Sequence, residues 1–386
     1  MVTLALVMVA GGCAMLRPPP IALLPVAQPA TTPVFDTAPL SRENAAGLSE
    51  LGQVEHGAGD TLAAVEFTPD GQEMLTVGAR SGTLKRWRLE KGRMVLRQTM
   101  GVGPVGLGAV SFDRDRKQIA VGAAGVDWER HRFGVDRLGH RVWDATTGDL
   151  IYEALTKLNM YGGGFLDTRV LLTPDGVWAL SVWAAISNTP LGMKNLSCYS
   201  HALQQVCDGY VNLDRQAEED DYDVIALDAA GELLAAADQS GKVIILPFHP
   251  PAYPEPKSIG NCILEPAGDV GATPLALAFD PRRRWLARVR GAEVIVWDLQ
   301  AEGYPRHLQA SAGDKAGKVA VISFSPDGEL MAVGAVTGWQ IWDVAGRRKL
   351  MEETDTPVYA LAFSPDGRAL AVGGASGVVH LWGVVQ

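Results

Sequence analysis

A five-residue phrase recurs along this chain and constrains its fold more than any other feature. Four copies are nearly the same, and three looser copies begin at Phe112, Leu227 and Phe279. Successive copies start 45, 60, 55, 52, 45 and 39 residues apart. A repeat of this length predicts a protein built from consecutive copies of one structural unit. The close copies are Phe67-Thr-Pro-Asp-Gly71, Leu172-Thr-Pro-Asp-Gly176, Phe324-Ser-Pro-Asp-Gly328 and Phe363-Ser-Pro-Asp-Gly367.

Each copy lies between two stretches that are typical of β-strands, as the last repeat shows. Residues 358–363 alternate apolar and small side chains, and Ser-Pro-Asp-Gly then favours a turn, because Pro presets φ and both Asp and Gly tolerate turn geometry. Residues 369–374 predict a second strand, and residues 378–382 predict a third strand that ends in Trp. A more polar fourth strand, such as 348–353, completes the unit. Four short strands without an amphipathic helix indicate one blade of a β-propeller.

Seven copies of the phrase predict seven blades, and the ends of the chain predict how the ring closes. The last blade stops after its third strand, whereas a spare strand-like stretch, residues 49–55, precedes the first copy. We expect this stretch to pair as the outer strand of the last blade, because a closed ring leaves only short, protected edges. The predicted fold class is therefore all-β, a seven-bladed β-propeller closed by an N-terminal strand that completes the last blade.

The Trp-Asp dipeptides Trp143-Asp144, Trp297-Asp298 and Trp342-Asp343 end three of the predicted third strands. Together with the Ser-Pro-Asp-Gly turns, they make residues 48–386 resemble the WD-repeat family of β-propellers. The resemblance implies a Gly-His dipeptide and an Asp between the second and third strands of each blade. Here the dipeptide is reversed at His56-Gly57, and Arg80-Ser-Gly82 lacks the Asp. We therefore expect the family's structural hydrogen-bond tetrad to be degraded.

The N-terminus predicts export and a lipid anchor. Residues 2–10 form an apolar run that is too short to span a bilayer and suits the apolar region of a signal peptide. The sequence Ala-Gly-Gly-Cys that ends at Cys13 resembles the bacterial lipobox, which implies a signal peptide over 1–12 and lipidation of Cys13. Residues 13–47, rich in Pro and Ala, read as a flexible tether. The resemblance implies an anchor on the periplasmic side of the outer membrane or at the cell surface. A plain secreted protein and a cytoplasmic protein with an apolar tail are the alternatives.

Charge and composition narrow the possible partners. The formal net charge is −10, and the 386-residue chain is 47% hydrophobic. A diffuse acidic surface argues against nucleic acid as the main partner. A chain of this size can bury an ample core, so that folding needs neither a metal nor another cofactor.

Two of the four cysteines flank a predicted hairpin turn between the third and fourth strands of the third blade. Directly opposed residues of such a hairpin lie near disulfide range, so that Cys198 and Cys207 are candidates for a disulfide in an oxidising compartment. The alternative is that both are small buried hydrophobic residues. Cys262 falls in a predicted fourth strand as an unpaired core residue, and the cysteine spacing fits no zinc site.

Long connections indicate where a partner would bind. In a propeller, the connections from second to third strands share one face with the connections from each blade to the next. On this face, residues 124–140, 184–196 and 208–222 are long, and long loops on a rigid scaffold often carry function. The alternative interpretation is a set of tolerated insertions with a solvated charge run. Candidate partner-binding residues of the types found at interfaces are Trp128, Arg130, His131, Arg132, Phe133, Tyr210, Arg215, Glu218 and Glu219.

No catalytic or metal site is predicted. The acidic and imidazole side chains in and beside the first long connection have spacings that fit no helix-based pair of metal ligands. The sequence also contains no calcium-binding loop of the form Asp-x-Asp-x-Asp-Gly. The chain also lacks a Gly-x-Ser-x-Gly nucleophile elbow and a phosphate-binding loop. The side chains considered as metal ligands and set aside are Asp127, Glu129, His131, Asp136 and His140.

These observations predict a non-enzymatic scaffold for protein–protein interaction. It would be lipid-anchored in a bacterial envelope and would act as a subunit of a larger assembly, with other proteins and a membrane as its partners. The alternative is a propeller enzyme or small-ligand binder that uses the central channel. This second class needs polar groups that converge on the axis, and the starts of the predicted first strands are mainly apolar or small.

Overall fold

The computed structural model describes most of the chain from residue 36 onwards. The described residues are 36–90, 93–103, 105–123, 137–157, 165–185, 193–200, 205–206, 222–238, 243–248, 262–264, 274–290, 293–300, 306–309, 319–354 and 356–385.

The described part of the chain is all-β, with one short 3-10 helix near its start. The first elements are β1 (Thr37–Ala38), the 3-10 helix Ala45–Gly47 and β2 (Ser49–Glu55). The remaining strands form the sheets of a β-propeller, in which consecutive strands of a sheet lie antiparallel to each other.

Six of the sheets have four strands each, numbered sheets 1 to 6 in chain order. Each contains four successive strands, and the last strands of sheets 3 and 4 are short. Sheet 1 contains β3 (Leu62–Phe67), β4 (Glu73–Gly78), β5 (Thr83–Glu90) and β6 (Arg93–Gly101). Sheet 2 contains β7 (Val105–Phe112), β8 (Gln118–Ala123), β9 (Arg137–Asp144) and β10 (Leu150–Lys157). Sheet 3 contains β11 (Phe165–Leu172), β12 (Ala179–Ala185), β13 (Met193–Ser200) and β14 (Gln205–Val206). Sheet 4 contains β15 (Tyr222–Leu227), β16 (Leu233–Asp238), β17 (Val243–Pro247) and β18 (Cys262–Leu264). Sheet 5 contains β19 (Pro274–Phe279), β20 (Trp285–Arg290), β21 (Glu293–Asp298) and β22 (Arg306–Gln309). Sheet 6 contains β23 (Val319–Phe324), β24 (Leu330–Ala335), β25 (Gly338–Asp343) and β26 (Arg348–Thr354).

The C-terminal sheet, sheet 7, differs because it has five strands and joins both ends of the described chain. Its consecutive strands are β27 (Val358–Phe363), β28 (Ala369–Gly374) and β29 (Val378–Val385). Both β2 and β1 lie antiparallel to the outer edge of β29, with Glu55 opposite Val378 and Thr37 opposite Val385. The stretch 49–55, which the sequence marks as a spare strand, thus lies beside the third strand of the last repeat.

The folded part begins earlier than the predicted domain boundary at residue 48. The sequence predicts that residues 37–47 belong to the flexible tether, but the side chains of Leu40 and Ala45 are buried among residues of sheets 6 and 7. The Leu40 amide donates a hydrogen bond to the Gly367 carbonyl at 2.8 Å. The Arg42 guanidinium lies 3.3 Å from the carboxylate of Glu329. This segment therefore packs against the propeller, and the Pro- and Ala-rich composition concealed its few anchoring side chains.

The turn of every repeat is closed by the same hydrogen bond. The first residue of each turn accepts a side-chain hydrogen bond from the amide five residues later, as in Ser364, whose Oγ accepts from Ala369 N at 2.9 Å. In the three looser copies the acceptor is an Asp carboxylate, so that the substitution preserves the bond. The seven acceptors are Thr68, Asp113, Thr173, Asp228, Asp280, Ser325 and Ser364.

The last position of each turn has a left-handed backbone. Five of the seven copies have Gly there, which adopts positive φ without a steric penalty. The other two have arginine, with φ of 58° at Arg116 and 60° at Arg283. A residue with a Cβ in this conformation costs about 1–2 kcal/mol, and the side chains of both arginines offset that cost by contacts described below.

The core lies between neighbouring sheets. Phe67, Phe324 and Phe363, which begin three copies of the phrase, are at most 8% exposed. Burying one such side chain contributes about 1.5–3 kcal/mol. Central strands carry small residues, and Ala369 and Ala371 of β28 are fully buried, so that the sheets can approach closely. Apolar packing between sheets therefore explains why the repeats stack.

Candidate functional site

The strand connections divide the propeller into two faces. The turn face carries the seven turns between first and second strands. The loop face is the opposite end of the sheets, where second strands end and third strands begin and where each sheet leads into the next. On the loop face the described connections include 56–61, 79–82, 336–337 and 375–377. The turns of the turn face are 68–71, 113–116, 173–176, 228–231, 280–283, 325–328 and 364–367.

The turn face is held by contacts between sheets. The Arg283 guanidinium donates hydrogen bonds to Asp228 at 2.5 Å and to Glu232 at 2.6 Å, both in the preceding sheet. The Asp228 side chain is fully buried in this ion pair. In the same way, Arg116 of sheet 2 reaches Glu66 of sheet 1 at 2.9 Å. The two arginines that replace turn glycines therefore bridge adjacent sheets.

All nine predicted partner-binding residues lie outside the described residues. This holds for Trp128, Arg130, His131, Arg132 and Phe133, which fall between the end of β8 and the start of β9. It also holds for the candidates between β14 and β15. These candidates are Tyr210, Arg215, Glu218 and Glu219. The described strands that flank both groups end or begin at the loop face.

Two of the four cysteines lie within the described residues. Cys198 lies in β13, next to Tyr199, which is paired with Val206 of β14. Cys262 begins β18, a fourth strand as expected. Cys13 and Cys207 lie outside the described residues.

His140 is a strand residue, whereas the sequence placed it at the end of the first long connection. It lies in β9 opposite Gly122 of β8 and is 2% exposed. Burial lowers the pKa of His140 to about 4. Among the described residues, neither ring nitrogen has a hydrogen-bond partner. This residue is therefore part of the core, and the connection that precedes it is shorter than predicted, since β9 begins at Arg137.

A hydrogen-bonded chain of side chains connects the loop face to the core of sheet 1. The His56 Nδ1 lies 2.7 Å from the Thr76 Oγ1, which also accepts a hydrogen bond from the Trp87 Nε1 at 2.9 Å. The other ring nitrogen of His56 lies 3.0 Å from the Thr83 Oγ1. The reversed His-Gly dipeptide thus places its imidazole in a network, contrary to the expectation of a degraded tetrad in this sheet.

The carboxylate beside this network comes from an unexpected position. Asp60 lies in the connection from β2 to β3, and its Oδ1 accepts hydrogen bonds from the amides of Arg80 and Ser81. Its Oδ2 lies 3.8 Å from the His56 Nε2. Asp60 therefore fastens the turn between β4 and β5, the turn in which the sequence lacks the family's Asp. The sequence does not reveal this role of Asp60, because the family pattern places the Asp in the connection from β4 to β5.

The two titratable groups of the network, His56 and Asp60, both have a lowered pKa. Burial and the nearby Lys85 ammonium lower the pKa of His56 to about 4, against the opposing effect of Asp60. Burial raises the pKa of Asp60, but hydrogen bonds from Ser81 and Arg80 more than offset it, and the net pKa is lowered. His56 is therefore neutral and Asp60 ionised.

A cavity of about 410 Å3 opens beside these residues on the loop face. It is lined by the loop 56–60, the turn 80–81 and the side chains of Thr83 and Lys85. The Lys85 ammonium donates a hydrogen bond to the His56 carbonyl and lies 6.0 Å from the centre of the Trp87 ring. No sequence pattern indicates this cavity, because its residues come from three separate strand ends.

Within the described ranges, no group of three or more His, Cys, Asp or Glu side chains could hold a metal ion. In the same part of the chain, no helix has the length and apolar character needed to cross a membrane.

The fold and the repeated turns define a β-propeller of short antiparallel blades. A family model described as WD domain, G-beta repeat matches residues 347–383, which cover the last strand of sheet 6 and most of sheet 7. Together with the arrangement of the sheets, this match supports a WD-repeat β-propeller. No curated protein matches the sequence. WD-repeat propellers are typically non-enzymatic scaffolds for protein–protein interaction.

Proposed function

We propose that this protein is a scaffold that binds partner proteins through its loop face, as a subunit of a larger assembly. The observation that carries the proposal is the contrast between two sets of connections. All seven turns between first and second strands close with the same hydrogen bond, whereas the connections at the loop face range from the two residues 336–337 to the whole stretch between β8 and β9. Connections that vary from blade to blade on a rigid scaffold are typical of a binding surface.

The scaffold would be a closed, seven-bladed ring in which sheet 7 is the last blade. Contacts between first strands support this: β3 contacts β7, the series continues through each sheet, and β27 contacts β3 again. The pairing of β1 and β2 with β29 would then fasten the two chain ends. A chain that starts at His56 should consequently unfold with a lower denaturant midpoint and a smaller m-value.

Lipidation of Cys13 would attach the propeller to a membrane through a segment that enters it at the turn face. The described chain enters the propeller at Thr37, opposite Val385, and this end of β29 lies at the turn face. An anchor that precedes this point would leave the loop face free for partners. Metabolic labelling with a radioactive fatty acid should mark the wild type and fail to mark Cys13→Ser, and equal labelling of both would contradict the anchor.

A disulfide between Cys198 and Cys207 would stabilise the β13–β14 hairpin. Two thiols would lose two electrons and two protons to a disulfide-donating oxidant of the envelope. Cys198 is next to Tyr199, and Cys207 follows Val206 in the sequence, while Tyr199 and Val206 are paired. Mass spectrometry of peptides digested without reduction should find the two cysteines linked. Detection of both cysteines as free thiols would contradict the proposed disulfide.

The partner-binding claim is tested by shortening the connection between β8 and β9. Residues 125–135 would be replaced by a short Gly-Ser linker, which spares β9 because that strand begins at Arg137. Recovery of co-purifying proteins from detergent-solubilised membranes should fall strongly relative to the wild type. The matched control is Arg88→Ala with Lys117→Ala on the turn face, which should leave recovery unchanged. Unchanged recovery after the loop replacement would contradict the proposed use of this connection.

A further inference from the structure

The cavity on sheet 1 has a local charge opposite to that of the whole protein. Arg80 and Lys85 are positive, Asp60 is negative and His56 is neutral, so that two positive charges and one negative charge leave a net of +1. The protein as a whole carries −10. An anionic group approaching this part of the loop face would therefore meet a locally favourable field.

The negative charge in the cavity is already engaged. The Asp60 Oδ1 accepts two backbone hydrogen bonds, and the Asp60 side chain is only 9% exposed. Arg80, in contrast, is exposed at the mouth of the cavity. Exposed charge at this site is thus predominantly positive.

Lys85 is held in position rather than free to sample many rotamers. Its ammonium donates to the His56 carbonyl and lies above the Trp87 ring, and Trp87 is itself fixed by its hydrogen bond to Thr76. An ammonium group has three N–H donors, and the bond to the carbonyl uses one of them. A positioned cation loses little entropy when it binds an anion.

The wall of the cavity allows a peptide backbone to approach. The loop Gly57-Ala58-Gly59 has no bulky side chain, and a Cβ added at Gly59 would meet nothing within 4 Å. The volume of about 410 Å3 lies within the range of about 300–1,000 Å3 that is typical of ligand pockets.

We propose that this cavity binds an acidic side chain of a partner segment that docks on the loop face, with Lys85 and Arg80 contacting its carboxylate. The inference rests on the proposed function and adds the chemistry of the partner at one place on that face. A carboxylate on a peptide is favoured over a free anion, because the cavity opens along a loop of small residues.

The test uses the full chain and a fluorescein-labelled, capped peptide of Ala-Glu-Glu-Glu-Ala, with Ala-Gln-Gln-Gln-Ala as the uncharged probe. Fluorescence anisotropy should show saturable binding of the acidic peptide only. Removing two charge contacts with Arg80→Gln and Lys85→Gln should weaken binding about five- to tenfold. Arg80→Gln alone, at an exposed position, should weaken it about two- to threefold without changing the melting temperature. The turn-face control Arg88→Gln should bind as the wild type does.

Ala58→Glu should abolish binding by placing a carboxylate in the loop of the cavity, while Ala58→Gln should retain most of it. Equal binding of both peptides would overturn the inference, as would an equal effect of Arg88→Gln. Acetate or inorganic phosphate that competes as well as the peptide would show a small-anion site and would also overturn it. The outcome is separable from the proposed function: partner recovery can depend on 125–135 while the acidic peptide fails to bind, and the reverse can also occur.

Discussion

The turn face and the loop face connect the same strands, but they do so in contrasting ways. On the turn face, Thr, Ser or Asp at the first turn position always accepts the same amide hydrogen bond, and the last position always has positive φ. On the loop face, one connection is the two-residue turn 336–337, and another stretches from Ala123 to Arg137. The repeated phrase therefore determines the architecture, whereas the connections from second to third strands, at the other end of the same strands, differ between blades.

The largest expected effect is on the turn face. Asp228→Ala removes the turn acceptor and the buried one of the two carboxylates that the Arg283 guanidinium contacts, so that we expect a loss of about 3–5 kcal/mol in the free energy of unfolding. Urea denaturation followed by tryptophan fluorescence measures it. The control Arg284→Ala removes an exposed guanidinium from the same turn and should cost less than about 1 kcal/mol. Similar losses in the free energy of unfolding for both variants would contradict the claim that the buried ion pair stabilises the protein more than a surface charge does.

The second prediction concerns His140, near the loop face. The equivalent position of sheet 1, counted from the third-strand Trp, is the fully buried Leu84. Burial lowers the pKa of His140 to about 4, whereas an unfolded chain titrates near about 6.5. The unfolded state therefore binds more protons between these values, and stability should fall as the pH decreases from about 6.5 to about 4, by up to about 3 kcal/mol.

His140→Leu should remove this contribution to the pH dependence. It should also stabilise the protein by about 1–2 kcal/mol at pH 7, because the buried imidazole nitrogens find no hydrogen-bond partner in the part of the chain that the structure describes. The reciprocal variant Leu84→His should introduce the same pH dependence into sheet 1. Melting temperatures measured from pH 4 to pH 8 compare the two variants with the wild type. Identical profiles for His140→Leu and the wild type would contradict the assignment.

A smaller effect separates backbone strain from the ion pair at Arg283. Both Arg283→Ala and Arg283→Gly lose the bridge to Asp228, but only Gly adopts a φ of 60° without strain. The Gly variant should therefore be more stable than the Ala variant by about 1 kcal/mol. Chemical denaturation of the two variants side by side tests this, and an Ala variant as stable as the Gly variant would show that the turn relaxes.

The fold class could be predicted from the sequence because the turn phrase depends only on interactions between residues close together in the chain. A Ser, Thr or Asp acceptor and a residue with positive φ can be recognised without knowing what lies nearby. The contacts that were missed join distant strands. Asp60 takes the place of an Asp that the family pattern puts some twenty residues later. The strained backbone of Arg283 is offset by the contact of its side chain with Asp228 in the neighbouring sheet. Likewise, the packing of Leu40 depends on sheets that form more than 280 residues later in the chain.

The most direct test of the two-face account is photo-crosslinking in intact cells. A benzoylphenylalanine would replace Val336 or Ser376 on the loop face, or Asp70 or Asp115 on the turn face, all at positions away from the core. The account predicts cross-linked products of higher mass from the loop-face positions and none from the turn-face positions. Products from Asp70 and Asp115, with none from Val336 and Ser376, would contradict it.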